Sequence, residues 1–234
     1  QEKLDATTKS TIDPVLNIFV KEFNRKMGYD DKKPEIAEIE RYFDNKGKYE
    51  FFKEEYQKRF GETWENGRKS ILLKLQRVAE IMAEIDGIPQ ATAFDNIKAQ
   101  IANYKIDTDG FVALVKEHLD KQQPGSRFIF FVDEVGQFIG KDVHRMLSLQ
   151  TIAEGLSDKT NGQSIVIVTS QMDIDATLGN LDKQQEYDFS RIQGRFDTRI
   201  SLTSANADEV IHRRLLEKEE EPQQMLCEVY QNEN

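Results

Sequence analysis

Phe128-Ile129-Phe130-Phe131-Val132-Asp133-Glu134 is the stretch whose reading decides the fold. Five apolar residues follow the turn signal Pro124-Gly125 and end in two acids. A short, wholly apolar run bounded by turn residues fits a buried strand of a parallel sheet. The acids then fall at the carboxyl end of that strand, the edge where ligands bind in open α/β sheets. Downstream, a helical pattern over 142–156 carries Met146, Leu149, Ile152 and Leu156 on one face. A β-branched run, Ser164-Ile165-Val166-Ile167-Val168-Thr169-Ser170, predicts a second strand. A helix near 172–178, a polar loop over 179–188, a third short strand over 198–202 and a helix over 206–218 complete the pattern. Strands that alternate with helices predict a parallel sheet over 123–205.

Upstream of residue 123 the periodicity is helical throughout. Leu16, Phe19, Val20, Phe23 and Met27 form one stripe, with Asp13 as N-cap, Pro14 at the first helical position and Gly28 as the stop. Ile36, Ile39 and Phe43 share a face up to Gly47, and Tyr49, Phe52 and Tyr56 continue to Phe60-Gly61. Trp64 reads as a packing anchor in the next connection. Ile71, Leu75, Val78, Met82 and Ile85 predict one long helix over 68–86, ended by Gly87 and Pro89. Helices over 92–102 and 108–121 follow, the second lined by Phe111, Leu114, Val115, His118 and Leu119. The expected organisation is a helical region over 1–122, a sheet-bearing core over 123–205, and a lid helix with an acidic tail over 206–234.

Composition narrows the function. The 234 residues carry 32 basic and 42 acidic side chains, a net charge of −10, which excludes a generic phosphate-backbone binder. A single cysteine, Cys227, excludes an internal disulfide framework and a cysteine-rich zinc site. Three scattered histidines, His118, His144 and His212, argue against a histidine-built metal centre. No apolar run approaches the ~20 residues of a membrane-spanning helix. The expected compartment is the cytoplasm. Fourteen phenylalanines and seven tyrosines argue for a packed fold despite 32% charged residues.

An apolar strand that ends in Asp-Glu is the Walker B pattern of P-loop ATPases. In that chemistry Asp133 would hold Mg2+. Glu134 would polarise the water that attacks the γ-phosphate of ATP. The plainer alternative is a strand that ends in two acids at a turn. The next strand ends in Thr169-Ser170-Gln171, where AAA+ ATPases place the polar residue, sensor 1, that orients the water. Ser170 and Gln171 both fit that role. Gly194-Arg195-Phe196-Asp197 then precedes the third expected strand and resembles the segment that bears an arginine finger. A finger needs a permanently charged planar group. Arg195 is the first candidate, with Arg191 and Arg199 as alternatives. The phosphate cradle Gly-x4-Gly-Lys-[Ser/Thr] is absent from the sequence. Gly47-Lys48 has Tyr42 in place of the first glycine, and Gly140-Lys141 has Val135 there and Asp142 after the lysine.

Four segments make the reading more specific: Asp133–Gly140, Leu147–Glu154, Val168–Ala176 and Phe189–Arg199. Together they resemble the BrxC/PglY family, the large AAA+-like ATPases of BREX bacteriophage-defence systems. The likeness is close over 123–218 and looser over 14–122, through Gly47-Lys48-Tyr49-Glu50 and Phe60-Gly61-Glu62-Thr63-Trp64-Glu65. It implies a partial P-loop NTPase sheet of α/β class with a large all-helical insertion, in a polypeptide that carries the phosphate loop upstream. It also implies ATP and Mg2+ as cofactors, assembly into an oligomer, and action with other BREX proteins. Contact with DNA would come through the assembly rather than through this chain. The departure from the family pattern is the missing phosphate loop, without which the chain alone is expected to bind ATP poorly.

Three functions compete. An ATPase would turn over ATP at a protomer interface. A nucleotide-gated assembly module would bind ATP and release little phosphate. A scaffold with a vestigial site would respond to ATP in neither way. The expected sheet lacks a central strand, and exposed edges favour self-association.

Overall fold

A computed structural model describes residues 13–135, 138 and 142–169, together with Thr198, Ile200 and Ile211. By its internal contacts the chain divides into Gln1–Arg195 and Phe196–Asn234. The first unit contains helices α1 (Pro14–Met27), α2 (Pro34–Asn45), α3 (Tyr49–Phe60), α4 (Trp64–Gly67), α5 (Leu75–Asp86), α6 (Gln90–Ala102) and α7 (Thr108–Asp120). Strand β1 (Phe128–Val132), helix α8 (Val143–Lys159) and strand β2 (Ser164–Val168) follow. The described residues are thus mostly helical, with one small parallel sheet, in keeping with the expected α/β class.

Local chemistry sets the helix ends. The Asp13 carboxylate accepts from the amides of Val15 and Leu16 at 2.9 and 3.0 Å, and Gly28 closes α1 in the left-handed conformation. This cap satisfies amides that an α-helix leaves unpaired. The stripe of α1 then buries Leu16, Phe19, Val20 and Phe23.

Two apolar cores result. One lies among α2 to α6 and gathers Ile36, Phe43, Phe52, Tyr56, Trp64, Ile71, Ile81 and Ile97. Phe43 stacks on Phe52 at 4.2 Å between centroids, and Trp64 meets Phe52 and Tyr56 edge-on. The other core underlies the sheet. Phe19 of α1 packs on Phe130 at 5.1 Å, Phe23 on Phe128 at 5.5 Å, and Phe111 of α7 on Phe130 at 5.9 Å. Helix α8 joins this layer through Met146, Leu149, Ile152 and Leu156, all buried. At Gly155 an added Cβ would stand 3.1 Å from Val112 of α7, so glycine lets these two helices approach closely.

Strands β1 and β2 pair in parallel, with Phe128 opposite Ser164 and Val132 opposite Val168. Helix α8 is the crossover between them, the βαβ arrangement that parallel pairing requires.

The structure differs from the sequence-based expectation in three places. The long helix expected over 68–86 is broken. Residues Arg68–Leu73 form a 3-10 helix, and Lys74 (φ −135°, ψ 30°) separates it from α5. The Lys33 ammonium donates to the carbonyls of Arg68 and Lys69, so those acceptors face α2 instead of serving only an α-helical ladder. Second, β1 is not buried on both faces. Phe130 is buried, whereas Ile129 and Phe131 are 54% and 64% exposed, because α1 and α7 pack on the Phe128 and Phe130 face. Third, Thr198 and Ile200 of the third expected strand lie in neither helix nor strand, and Ile200 is exposed. Ile211, in the expected 206–218 helix, is helical.

Candidate functional site

At the carboxyl edge of the sheet the β1–β2 ladder runs on past Val132 and Val168. The Thr169 amide donates to the Val132 carbonyl at 3.0 Å, and the Val135 amide donates to the Thr169 carbonyl at 2.9 Å. One step beyond the register, Asp133 therefore faces Thr169. The two side chains meet: the Thr169 hydroxyl donates a short hydrogen bond to Oδ1 of Asp133. The Glu134 amide donates to the same Oδ1 and to the Thr169 hydroxyl oxygen, both at 3.1 Å.

Glu134 itself adopts the left-handed conformation, φ 52°. This region is sparsely occupied by residues other than Gly, Asn and Asp, and such outliers persist where the surroundings fix them. Here the fixing contacts are the two bonds to the Glu134 amide and the burial of Val135 immediately after it. Asp133 and Glu134 are both exposed. The sequence thus places two carboxylates at a rigid strand end, open to solvent, on the edge where α/β sheets bind ligands.

Beyond the acids, Asp142 caps α8 through the Arg145 amide at 3.3 Å and pairs with the Arg145 side chain at 3.2 Å. The Arg145 guanidinium also donates to the Phe138 carbonyl at 2.7 Å and lies 4.9 Å from the Phe138 ring centre. Arg145 thereby ties Phe138 to the first turn of α8.

Of the residues expected in the site, Asp133 and Glu134 stand together. Ser170, Gln171, Arg191, Arg195 and Arg199 lie outside the described residues, as do the expected 172–178 helix and the 179–188 loop. Two residues that the sequence reading did not single out enter the geometry, Thr169 and Arg145. Thr169 had a readable signal. Val132 and Val168 are the last apolar residues of their runs, so aligning the run ends sets Asp133 opposite Thr169. Gly47-Lys48, the nearest thing to a phosphate loop upstream, joins α2 to α3, with Gly47 at φ 63°. A helix-to-helix turn is not the strand-to-helix loop that cradles phosphate.

The donor set suits a hard divalent cation. Asp133 offers carboxylate oxygens, and Oδ2 accepts no hydrogen bond from any other described residue, whereas Oδ1 is engaged. Among the described residues no group of three or more His, Cys, Asp and Glu side chains converges. Mg2+ does not need one, since it is commonly held through one or two carboxylates together with substrate phosphates and water. No protein-family model and no solved structure matches the chain.

Proposed function

We propose that this chain supplies the acidic half of an AAA+-like ATP site, in a P-loop NTPase core that is completed by a phosphate loop upstream. The observation that carries the reading is the pair Asp133-Glu134 at the carboxyl end of a strand. That strand joins its parallel neighbour through a helical crossover and is bonded to it at the level of the acids. Asp133 would hold Mg2+ through Oδ2, and the ion would neutralise phosphate charge. Glu134 accepts the proton of the attacking water as general base. Ser170 or Gln171 would orient that water, and Arg195, or else Arg191 or Arg199, would act across a protomer interface.

The setting we propose is the cytoplasm, within an oligomer that works with other BREX defence proteins. Resemblance of Asp133–Gly140, Leu147–Glu154, Val168–Ala176 and Phe189–Arg199 to the BrxC/PglY family supports that setting. No described helix is long and apolar enough to cross a membrane.

Phosphate release by the complete polypeptide tests the proposal, wild type beside Glu134→Gln. Replacing a general base typically lowers turnover by about 10²–10⁴-fold. The expected result is a loss of that size in the variant. Equal, near-zero release in both would contradict the ATPase reading. A change of particle size with ATP would then favour a nucleotide-gated assembly module.

A further inference from the structure

Asp133 and Glu134 are anchored by something outside their own strand. Thr169 belongs to the end of β2, yet its hydroxyl makes two bonds to the acid pair. It donates to Oδ1 of Asp133 and accepts from the amide of Glu134. With the Glu134 amide also bonded to Oδ1, the three groups form a closed triangle of hydrogen bonds. Such a triangle has two consequences. It takes one oxygen of Asp133 out of play, which leaves Oδ2 as the oxygen for a ligand. It also holds the peptide before Glu134 in the orientation that the left-handed conformation of that residue requires.

We infer that Thr169 is a positioning residue: its hydroxyl locks both acids to β2, selects Oδ2 of Asp133 as the ligand-facing oxygen, and fixes the backbone from which the Glu134 carboxylate projects. The inference rests on the reading of Asp133 and Glu134 as the acids of an ATP site, and it adds to that reading a coupling. Any displacement of the end of β2, where Ser170 and Gln171 follow, moves the acids with it. Threonine suits the task because its one hydroxyl both donates and accepts. Valine has nearly its shape and can do neither. Serine can do both.

The experiment has two arms, each with Thr169→Val and Thr169→Ser. In the first, amide hydrogen exchange of the 234-residue chain is followed by NMR at Glu134, with the amides of Val135 and residue 169 as controls. Both control amides bond to backbone carbonyls and report only on whether the ladder is intact. A net hydrogen bond contributes on the order of a tenfold change in an opening equilibrium. Exchange at Glu134 should therefore quicken about tenfold in Thr169→Val, and stay near wild type in Thr169→Ser, with the controls unmoved. Unchanged exchange at Glu134 in Thr169→Val overturns the inference. So does quickening of equal size in Thr169→Ser. If Thr169→Val disrupts the ladder, the serine variant decides: protection retained at Glu134 supports the hydroxyl, and protection lost overturns it.

The second arm measures phosphate release by the complete polypeptide against Mg2+ concentration. The half-saturating Mg2+ should rise about tenfold in Thr169→Val and return towards wild type in Thr169→Ser, since an unheld Asp133 pays for its own ordering. Turnover that depends on Glu134 but is insensitive to Thr169 would overturn the positioning role alone. Wild-type turnover that Glu134→Gln leaves unchanged would overturn the reading of Glu134 as general base, and the exchange arm would still decide Thr169.

Discussion

Glu40 has no exposed surface, although it is a carboxylate in the middle of α2. It is tolerated there because four donors converge on it: the Asp30 amide, the Tyr49 hydroxyl, the Trp64 indole N–H and the Arg68 guanidinium, the last three at 2.8, 2.6 and 2.7 Å. Burial, and then the charge of Glu40, push the Tyr49 hydroxyl far above its usual range, so Tyr49 remains a donor at every working pH. Removing the carboxylate takes the acceptor from three donors and leaves Arg68 only its longer hydrogen bond to the Gly28 carbonyl, 3.2 Å. Breaking a buried pair from one side commonly costs about 3–5 kcal/mol. Glu40→Ala should lower the unfolding free energy by that amount in a denaturant titration, and a loss below about 1 kcal/mol would contradict the account. Little of this network was legible in the sequence. Trp64 was readable as a packing anchor, which it is, at 1% exposure. Its second task, a bond to Glu40 from 24 residues away, has no local signal because it depends on how α2, α3 and α4 meet. Thr169 is the opposite case, since counting from the ends of two apolar runs is enough to find it.

At the scale of elements, β1 shows what a short apolar run reveals and what it hides. The bounds of the strand were readable from Phe128 to Val132, and so were the acids that follow. Which faces are covered was not, because a run without alternation carries no mark of inside and outside. Phe130 sits between Phe19 and Phe111, whereas Phe131 lies on the other face beside Ile167, its partner across the sheet. Phe130→Ala should therefore cost about 3–5 kcal/mol, the usual range for a buried aromatic. Phe131→Ala should stay within about 1 kcal/mol of wild type, as exposed positions do. Thermal unfolding of the two variants checks the contrast, and equal losses would mean that both faces are packed. The broken 68–86 helix teaches a related lesson. The stripe Ile71, Leu75, Val78, Met82 is continuous in number, but a lysine from another element takes two of its carbonyls. Gly67 marks the start of that break: an added Cβ would collide with the Tyr56 ring and hydroxyl, so Gly67→Ala should destabilise by about 1–3 kcal/mol in the same assay.

At the scale of the described residues as a whole, two apolar cores support one solvent-facing edge. α1 and α7 brace β1 from below, α8 carries the chain from β1 to β2, and the last residues of the two strands bring Asp133, Glu134 and Thr169 together. The place of the acid pair was legible because five apolar residues set the length of the strand and the charges mark its end. The remaining expected participants, Ser170, Gln171 and the three arginines, depend on parts of the chain outside the described residues. If the acids serve as proposed, the complete polypeptide holds ATP whether or not it releases phosphate. The most direct test is the identity of the nucleotide retained after incubation with Mg2+ and ATP and passage through a desalting column, wild type beside Glu134→Gln. Our account predicts mostly ADP on the wild type and mostly unhydrolysed ATP on the variant. The same nucleotide on both, or none on either, would contradict it.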